Sequence, residues 1–217
     1  MDFDLVITGG TVVDGSGRPA FRADVGVRDG RIAAVATGER LIGRQALDAG
    51  GLVVAPGFID VHSHGDWILP LPDHAEILAP MLRQGVTTLV TGNCGFSPAP
   101  VTDASVPLQD GYSEMMRDRA FPYAWRSFAE FLDALERGGL ALNAAFLVGH
   151  GALRYAALGD SADRLDPPSP AAIDRMGALT RQALREGAFG LSAGLAYAPG
   201  VFARNDELLA LLRVTAD

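Results

Sequence analysis

From Phe58 onward, short apolar or β-branched runs alternate with capped amphipathic segments. No other feature of the chain restricts its fold as much. Phe58 to His62, Val86 to Thr91, Leu142 to Val148 and Phe189 to Ser192 read as strands. Asp73-His74-Ala75-Glu76 and Ser127-Phe128-Ala129-Glu130 read as capping boxes, opening helices that run to about Gln84 and Arg137. Ser169 before Pro170 places an N-cap ahead of a proline at the first helical position. Ile173, Met176, Leu179, Ala183 and Leu184 then repeat at helical spacing up to Gly187, and Asn205 caps a last helix through Leu212. Alternating strands and helices imply a parallel sheet whose strand-end loops open on one face. Residues 97 to 126, with Pro98, Pro100, Pro107 and Pro122, read as a long loop, and a connection of that length is uncommon unless it covers a site. An eight-stranded α/β barrel needs roughly 250 residues, and Leu52 to Asp217 provides about 165 with half the strands. The order therefore fits an open α/β sheet or the front of a longer barrel.

Residues 3 to 54 have a different rhythm. Asp4 to Thr8 alternates, Gly9-Gly10 reads as a turn, and Thr11 to Val13 resumes. Asp29-Gly30 between two alternating runs predicts a hairpin. Gln45 to Asp48 and Leu52 to Val54 close this β unit, in which no helix is indicated. The expected organisation is a β domain over residues 1–54 and an α/β domain over 55–217.

The 217 residues are 48% hydrophobic, with room for a sizeable core, and carry a formal net charge of −8. An acidic chain with no basic stripe argues against nucleic acid or an anionic membrane as its main partner. Met1-Asp2-Phe3-Asp4 lacks the positive start of a secretory leader, and no run of about 20 apolar residues suggests a membrane span. The single cysteine, Cys94, excludes an internal disulfide and fits a reducing, cytoplasmic setting.

The polar chemistry gathers at the strand ends. The apolar run Leu52 to Ala55 turns at Pro56-Gly57, and the next strand ends in His62-Ser63-His64. Side-chain alternation would put Asp60, His62 and His64 on one face. His62, His64 and Cys94 are three plausible zinc ligands, which is enough for a site with an open position for an activated water. Cys94 could instead be a small buried hydrophobe, though its glycine-flanked position favours the ligand reading. Asp66 could orient a histidine or be a solvated acid. His150 could support a ligand, touch substrate or be a loop histidine held by backbone. Ser192 and Tyr197 are further candidates for a supporting or substrate contact, and His74 reads as a surface helix residue.

Gly57-Phe58-Ile59-Asp60-Val61-His62-Ser63-His64 resembles the metal motif of the amidohydrolase superfamily, and the opening β unit resembles the front of its small β-sandwich domain. Three further stretches, 85–96, 148–151 and 187–195, resemble the N-acyl-D-amino-acid deacylases, or D-aminoacylases. Asn93-Cys94-Gly95 is the most specific of these segments. The resemblance implies a zinc enzyme hydrolysing N-acyl-D-amino acids, small molecules, to a carboxylate and a D-amino acid. It implies the front half of a (β/α)8 barrel after part of a β-sandwich. It departs from the family at Ala193, commonly threonine, and at Ala196, often a larger residue. The family's two later zinc histidines, its general-base aspartate and its carboxylate-binding arginine have no counterparts here, so that base is expected beyond residue 217. The 217-residue chain alone is expected to be inactive. A cyclic-amidase or dihydroorotase-like enzyme would share His-x-His but normally uses a modified lysine, and all 18 basic residues here are arginine. A non-catalytic α/β module, binding through an open sheet edge, is the remaining alternative.

Overall fold

The computed structural model describes residues 3–216. Asp217 and the opening Met1-Asp2, part of the stretch read above for a leader, lie outside them. The chain divides into two compact units, Met1–Gly57 and Phe58–Asp217.

The first unit is a single sheet. Its strands are β1 (Phe3–Val12), β2 (Phe21–Arg28), β3 (Arg31–Ala36), β4 (Gly43–Asp48) and β5 (Val53–Val54). The order is β3-β2-β1-β4, with β5 also on β1. β1 pairs antiparallel with β2 and parallel with β4 and β5. Asp29 and Gly30 both have positive φ, 51° and 71°, as a two-residue hairpin turn requires. Gly9-Gly10 is not the expected turn. β1 runs straight through it, and the pairing register shifts between Ile7 and Gly10. The displaced backbone groups find side-chain partners, because the Gly9 N–H donates to Asp24 Oδ1 at 2.8 Å and Arg22 donates to the Gly9 carbonyl at 2.8 Å. A bulge with satisfied groups keeps the strand continuous. Val12, Ala23 and Val25 form the buried core of this sheet.

The second unit begins with β6 (Phe58–Asp60), α1 (His74–Ile77), α2 (Ala79–Arg83), β7 (Val86–Thr91) and α3 (Val106–Tyr112). It continues with α4 (Phe128–Gly138), β8 (Asn143–Phe146), β9 (Val148–Gly149), α5 (His150–Leu158), α6 (Pro170–Arg185), β10 (Leu191–Ser192) and α7 (Asn205–Ala216). β6, β7 and β8 form a parallel sheet in that order, and β9 pairs parallel with β10. The Ser127–Glu130 capping box is formed, and α4 buries Phe128, Phe131 and Leu135. Ser169 accepts from the Ala172 N–H, and α6 buries Ala172, Met176, Thr180 and Ala183. These faces meet Leu89, Phe146, Leu153 and Leu211 in one core.

Three expectations are corrected here. The helix expected from Asp73 to Gln84 is two short helices joined at Leu78. Pro80 has no N–H to continue the first, and Asp73 caps nothing, its carboxylate instead taking Arg119 at 2.9 Å. Residues 97–126 are not a structureless loop, since they contain α3, with proline in its first turn. The buried Gln109 ties α3 to the Pro100 carbonyl at 3.0 Å. Finally, Gly149-His150-Gly151 is not a loop, because α5 starts at His150 directly from β9. Among the described residues no helix is long and apolar enough to cross a membrane.

Candidate metal centre

β6 ends at Asp60, where the expected common face of Asp60, His62 and His64 breaks down. The Asp60 carboxylate accepts the His62 N–H at 3.1 Å and turns the chain. The two histidines therefore sit on a bend held to the end of β7. The Ser63 N–H donates to the Val90 carbonyl at 3.1 Å. The buried Asn93 amide donates to the carbonyls of Ser63 at 3.3 Å and Val90 at 2.9 Å. One side chain thus joins the histidine bend to the loop that carries the next residue, Cys94.

The result is convergence. His62 Nε2 lies 3.1 Å from Cys94 Sγ, and one candidate ligand atom from each of His62, His64 and Cys94 lies within 4.8 Å of the others. Zinc bonds of about 2.0–2.3 Å in a tetrahedron separate donors by about 3.3–3.8 Å, so small rotations of these side chains accommodate the ion. Burial first, and then the neighbouring His62, hold the His64 imidazole below its ordinary pKa, which favours the neutral, ligating form. His64 Nδ1 is buried without a hydrogen-bond partner among the described residues. Among the described residues no other trio of His, Cys, Asp or Glu gathers in this way.

Cys94 adopts φ +58°, a left-handed conformation that costs an ordinary residue about 1–2 kcal/mol. Three contacts from far along the chain surround it. Tyr197 donates its hydroxyl to the Cys94 carbonyl at 2.6 Å. Ser192 Oγ accepts the Gly95 N–H at 3.0 Å and donates to the Gly92 carbonyl. The Gly151 N–H donates to the Gly95 carbonyl at 2.9 Å. Gly194 packs so closely that a Cβ there would strike the Cys94 carbonyl and the Tyr197 hydroxyl. Ser192 and Tyr197 thus grip the backbone around Cys94.

The remaining candidates fall elsewhere. Asp66 neither orients a histidine nor is solvated. It is fully buried, and neither oxygen has a partner in bonding geometry among the described residues. Burial pushes its carboxyl up to about 8, with the Asp66 and Gly92 amides pulling the other way. His150 is also absent from the converging trio. It is fully buried in the first turn of α5, and Nε2 donates to Glu207 on α7 at 2.6 Å. Arg154 joins the same carboxylate at 2.5 Å and donates to the Ala162 carbonyl. Burial alone would raise the Glu207 carboxyl, but the hydrogen bonds from His150 and Arg154 outweigh it and hold it below its ordinary value. His74 is not a surface residue. It is buried, with Nδ1 donating to the Leu71 carbonyl at 2.8 Å and Nε2 accepting the Ala141 N–H at 3.2 Å. Sequence reasoning missed Asn93, whose place beside Cys94 was the available signal. It also missed Glu207, whose partner His150 lies 57 residues away.

A sequence profile of the amidohydrolase family matches residues 45–215. D-aminoacylase from Alcaligenes xylosoxydans xylosoxydans is 41% identical over 212 residues, which cover 97% of this chain and 42% of that protein. N-acyl-D-glutamate deacylase from the same organism is 42% identical over 98% of this chain and 41% of its own length. A crystal structure of N-acyl-D-glutamate deacylase from Bordetella bronchiseptica, complexed with zinc and a phosphonate mimic of the tetrahedral intermediate, matches with a TM-score of 0.84 at 40% identity. That match covers 100% of this chain and 43% of the other. The chain therefore spans less than half the length of these relatives.

Proposed function

The chain belongs to the amidohydrolase family, and we propose that it is part of a zinc-dependent hydrolase that cleaves N-acyl-D-amino acids to a carboxylate and a D-amino acid. In this reading residues 1–54 contribute to a small β-sandwich and residues 55–217 form the first four βα units of an eight-stranded barrel. The observation that carries the proposal is the meeting of one thiol with two imidazoles. The thiol comes from the Gly92-Asn93-Cys94-Gly95 segment that most resembles D-aminoacylases. Zinc, when bound, supplies Lewis acidity and lowers the pKa of a bound water.

The chain's own side chains do the rest. His62 and His64 offer imidazole nitrogens and Cys94 a soft anionic donor, a ligand set suited to zinc. Phe96 stands edge-on to His64 at 5.7 Å with Tyr112 stacked on it at 4.0 Å, so buried aromatic packing backs the His64 ring. Among the described residues no carboxylate joins the converging trio. The resemblance implies that the proton-transfer group is the family's later aspartate, and in this reading the 217-residue chain alone should bind metal without turnover. The test is hydrolysis by the purified whole protein. It should cleave N-acyl-D-amino acids in preference to their L-enantiomers and to cyclic amides, stop with a chelator, and resume with zinc. Preferential turnover of cyclic amides would overturn the substrate class, and failure to bind zinc would overturn the enzyme.

A further inference from the structure

We infer that Ser192, assisted by Tyr197, is a positioning residue that sets where the Cys94 thiol sits, acting through the backbone on either side of it. The inference rests on the reading of Cys94 as a metal ligand.

Ser192 stands on β10, fixed by its parallel pairing with Gly149 of β9, so its hydroxyl is presented from a strand. That hydroxyl makes two bonds to one tetrapeptide, accepting from the Gly95 N–H and donating to the Gly92 carbonyl. It closes the loop across its base, with Cys94 inside the closure. Its one O–H is spent on Gly92 and cannot donate to a substrate. Tyr197 then takes the carbonyl of Cys94 itself. The neighbouring strand packs close as well, since a Cβ on Gly149 would strike the Gly95 carbonyl. Cys94 is neither glycine nor an Asn or Asp that could steady a left-handed φ with its own side chain. The conformation that brings Sγ to 3.1 Å from His62 Nε2 is therefore supported by these hydroxyls.

The test uses cobalt and zinc as probes on the purified whole protein. A cysteine thiolate bound to cobalt gives a near-ultraviolet charge-transfer band that histidine ligands do not. Ser192→Ala should weaken metal affinity by about 10–100-fold, the usual effect of losing a partner that orients a ligand, and should diminish the band. Ser192→Thr, which keeps the hydroxyl, should recover both. Tyr197→Phe removes only the bond to the Cys94 carbonyl. It should shift both readouts in the same direction and serves as the second arm if Ser192→Ala does not fold. Cys94→Ala should abolish the band. Wild-type affinity and a full band in Ser192→Ala and Tyr197→Phe, with both lost in Cys94→Ala, would overturn the positioning role alone. A Cys94→Ala protein that keeps wild-type affinity would overturn the ligand reading and the inference with it.

Discussion

The chain's four histidines divide into two pairs with opposite fates. His62 and His64 sit on a bend and converge with a thiol. His74 and His150 sit in first turns of helices and give ring nitrogens to the protein. His74 uses both, on Leu71 and Ala141, and His150 uses Nε2 on Glu207. Each of the latter two joins distant segments, and neither has the geometry of the converging trio. Composition cannot separate a ligand histidine from a structural one. What separates them is whether a ring nitrogen meets other ligand-type side chains, as in His62 and His64, or is engaged by a backbone group or carboxylate, as in His74 and His150.

The contrast predicts separable losses. The largest is at the buried His150–Arg154–Glu207 group. Glu207→Gln leaves the Arg154 charge buried without its counter-ion, and breaking such a pair costs about 3–5 kcal/mol. Chemical denaturation should show that loss, and an unchanged midpoint would place His150 outside the structural pair. Next comes His62→Ala. Metal affinity should fall by more than the about 100-fold that removing a mere supporting partner costs, with little change in the stability of the metal-free protein. Tight metal binding by this variant would erase the distinction from the other side. His74→Ala should do the reverse. It strands the Leu71 carbonyl and the Ala141 N–H, lowering stability by about 1–3 kcal/mol while metal affinity stays at the wild-type value.

The smallest effect is in acid. The Glu207 carboxyl is held below its ordinary value, so its contribution to stability is present above the unfolded pKa, about 4.3, and is lost as pH falls through the folded value. Wild-type stability should therefore decline below about pH 4.3, and Glu207→Gln should decline less steeply. Equal slopes would mean that the carboxylate is not what His150 and Arg154 hold.

Local chemistry made much of this legible in the sequence. Ser127 and Glu130 cap α4 across three residues, Ser169 caps α6, and Asp29-Gly30 turns the hairpin, each within a span that propensity can see. The trio itself was readable because His-x-His and a glycine-flanked cysteine are rare chemical groups at strand ends. What was hidden depended on partners far along the chain. α5 starts without a side-chain cap and contains a glycine, and its first residue is paired with Glu207 on α7. α3 hid among prolines, one of which sits in its first turn, and Gln109 anchors it. His74 looked exposed because Ala141, its partner, lies 67 residues away. The Gly9-Gly10 bulge needed Asp24 and Arg22 to accept a continuous strand.

The bonds from Ser192 to Gly92 and from Tyr197 to Cys94 span 100 and 103 residues. That separation sets an order in time. A chain emerging from the ribosome carries all of the converging trio once Cys94 is out, and for about a hundred residues more it lacks the hydroxyls that grip the Cys94 loop. Contacts so distant in sequence are slow to close. The closure of the loop around Cys94 is then a late event of synthesis, timed by the arrival of Leu191 beside Val148. A chain arrested before residue 191 should take up cobalt without the thiolate colour that a chain extended past Tyr197 displays.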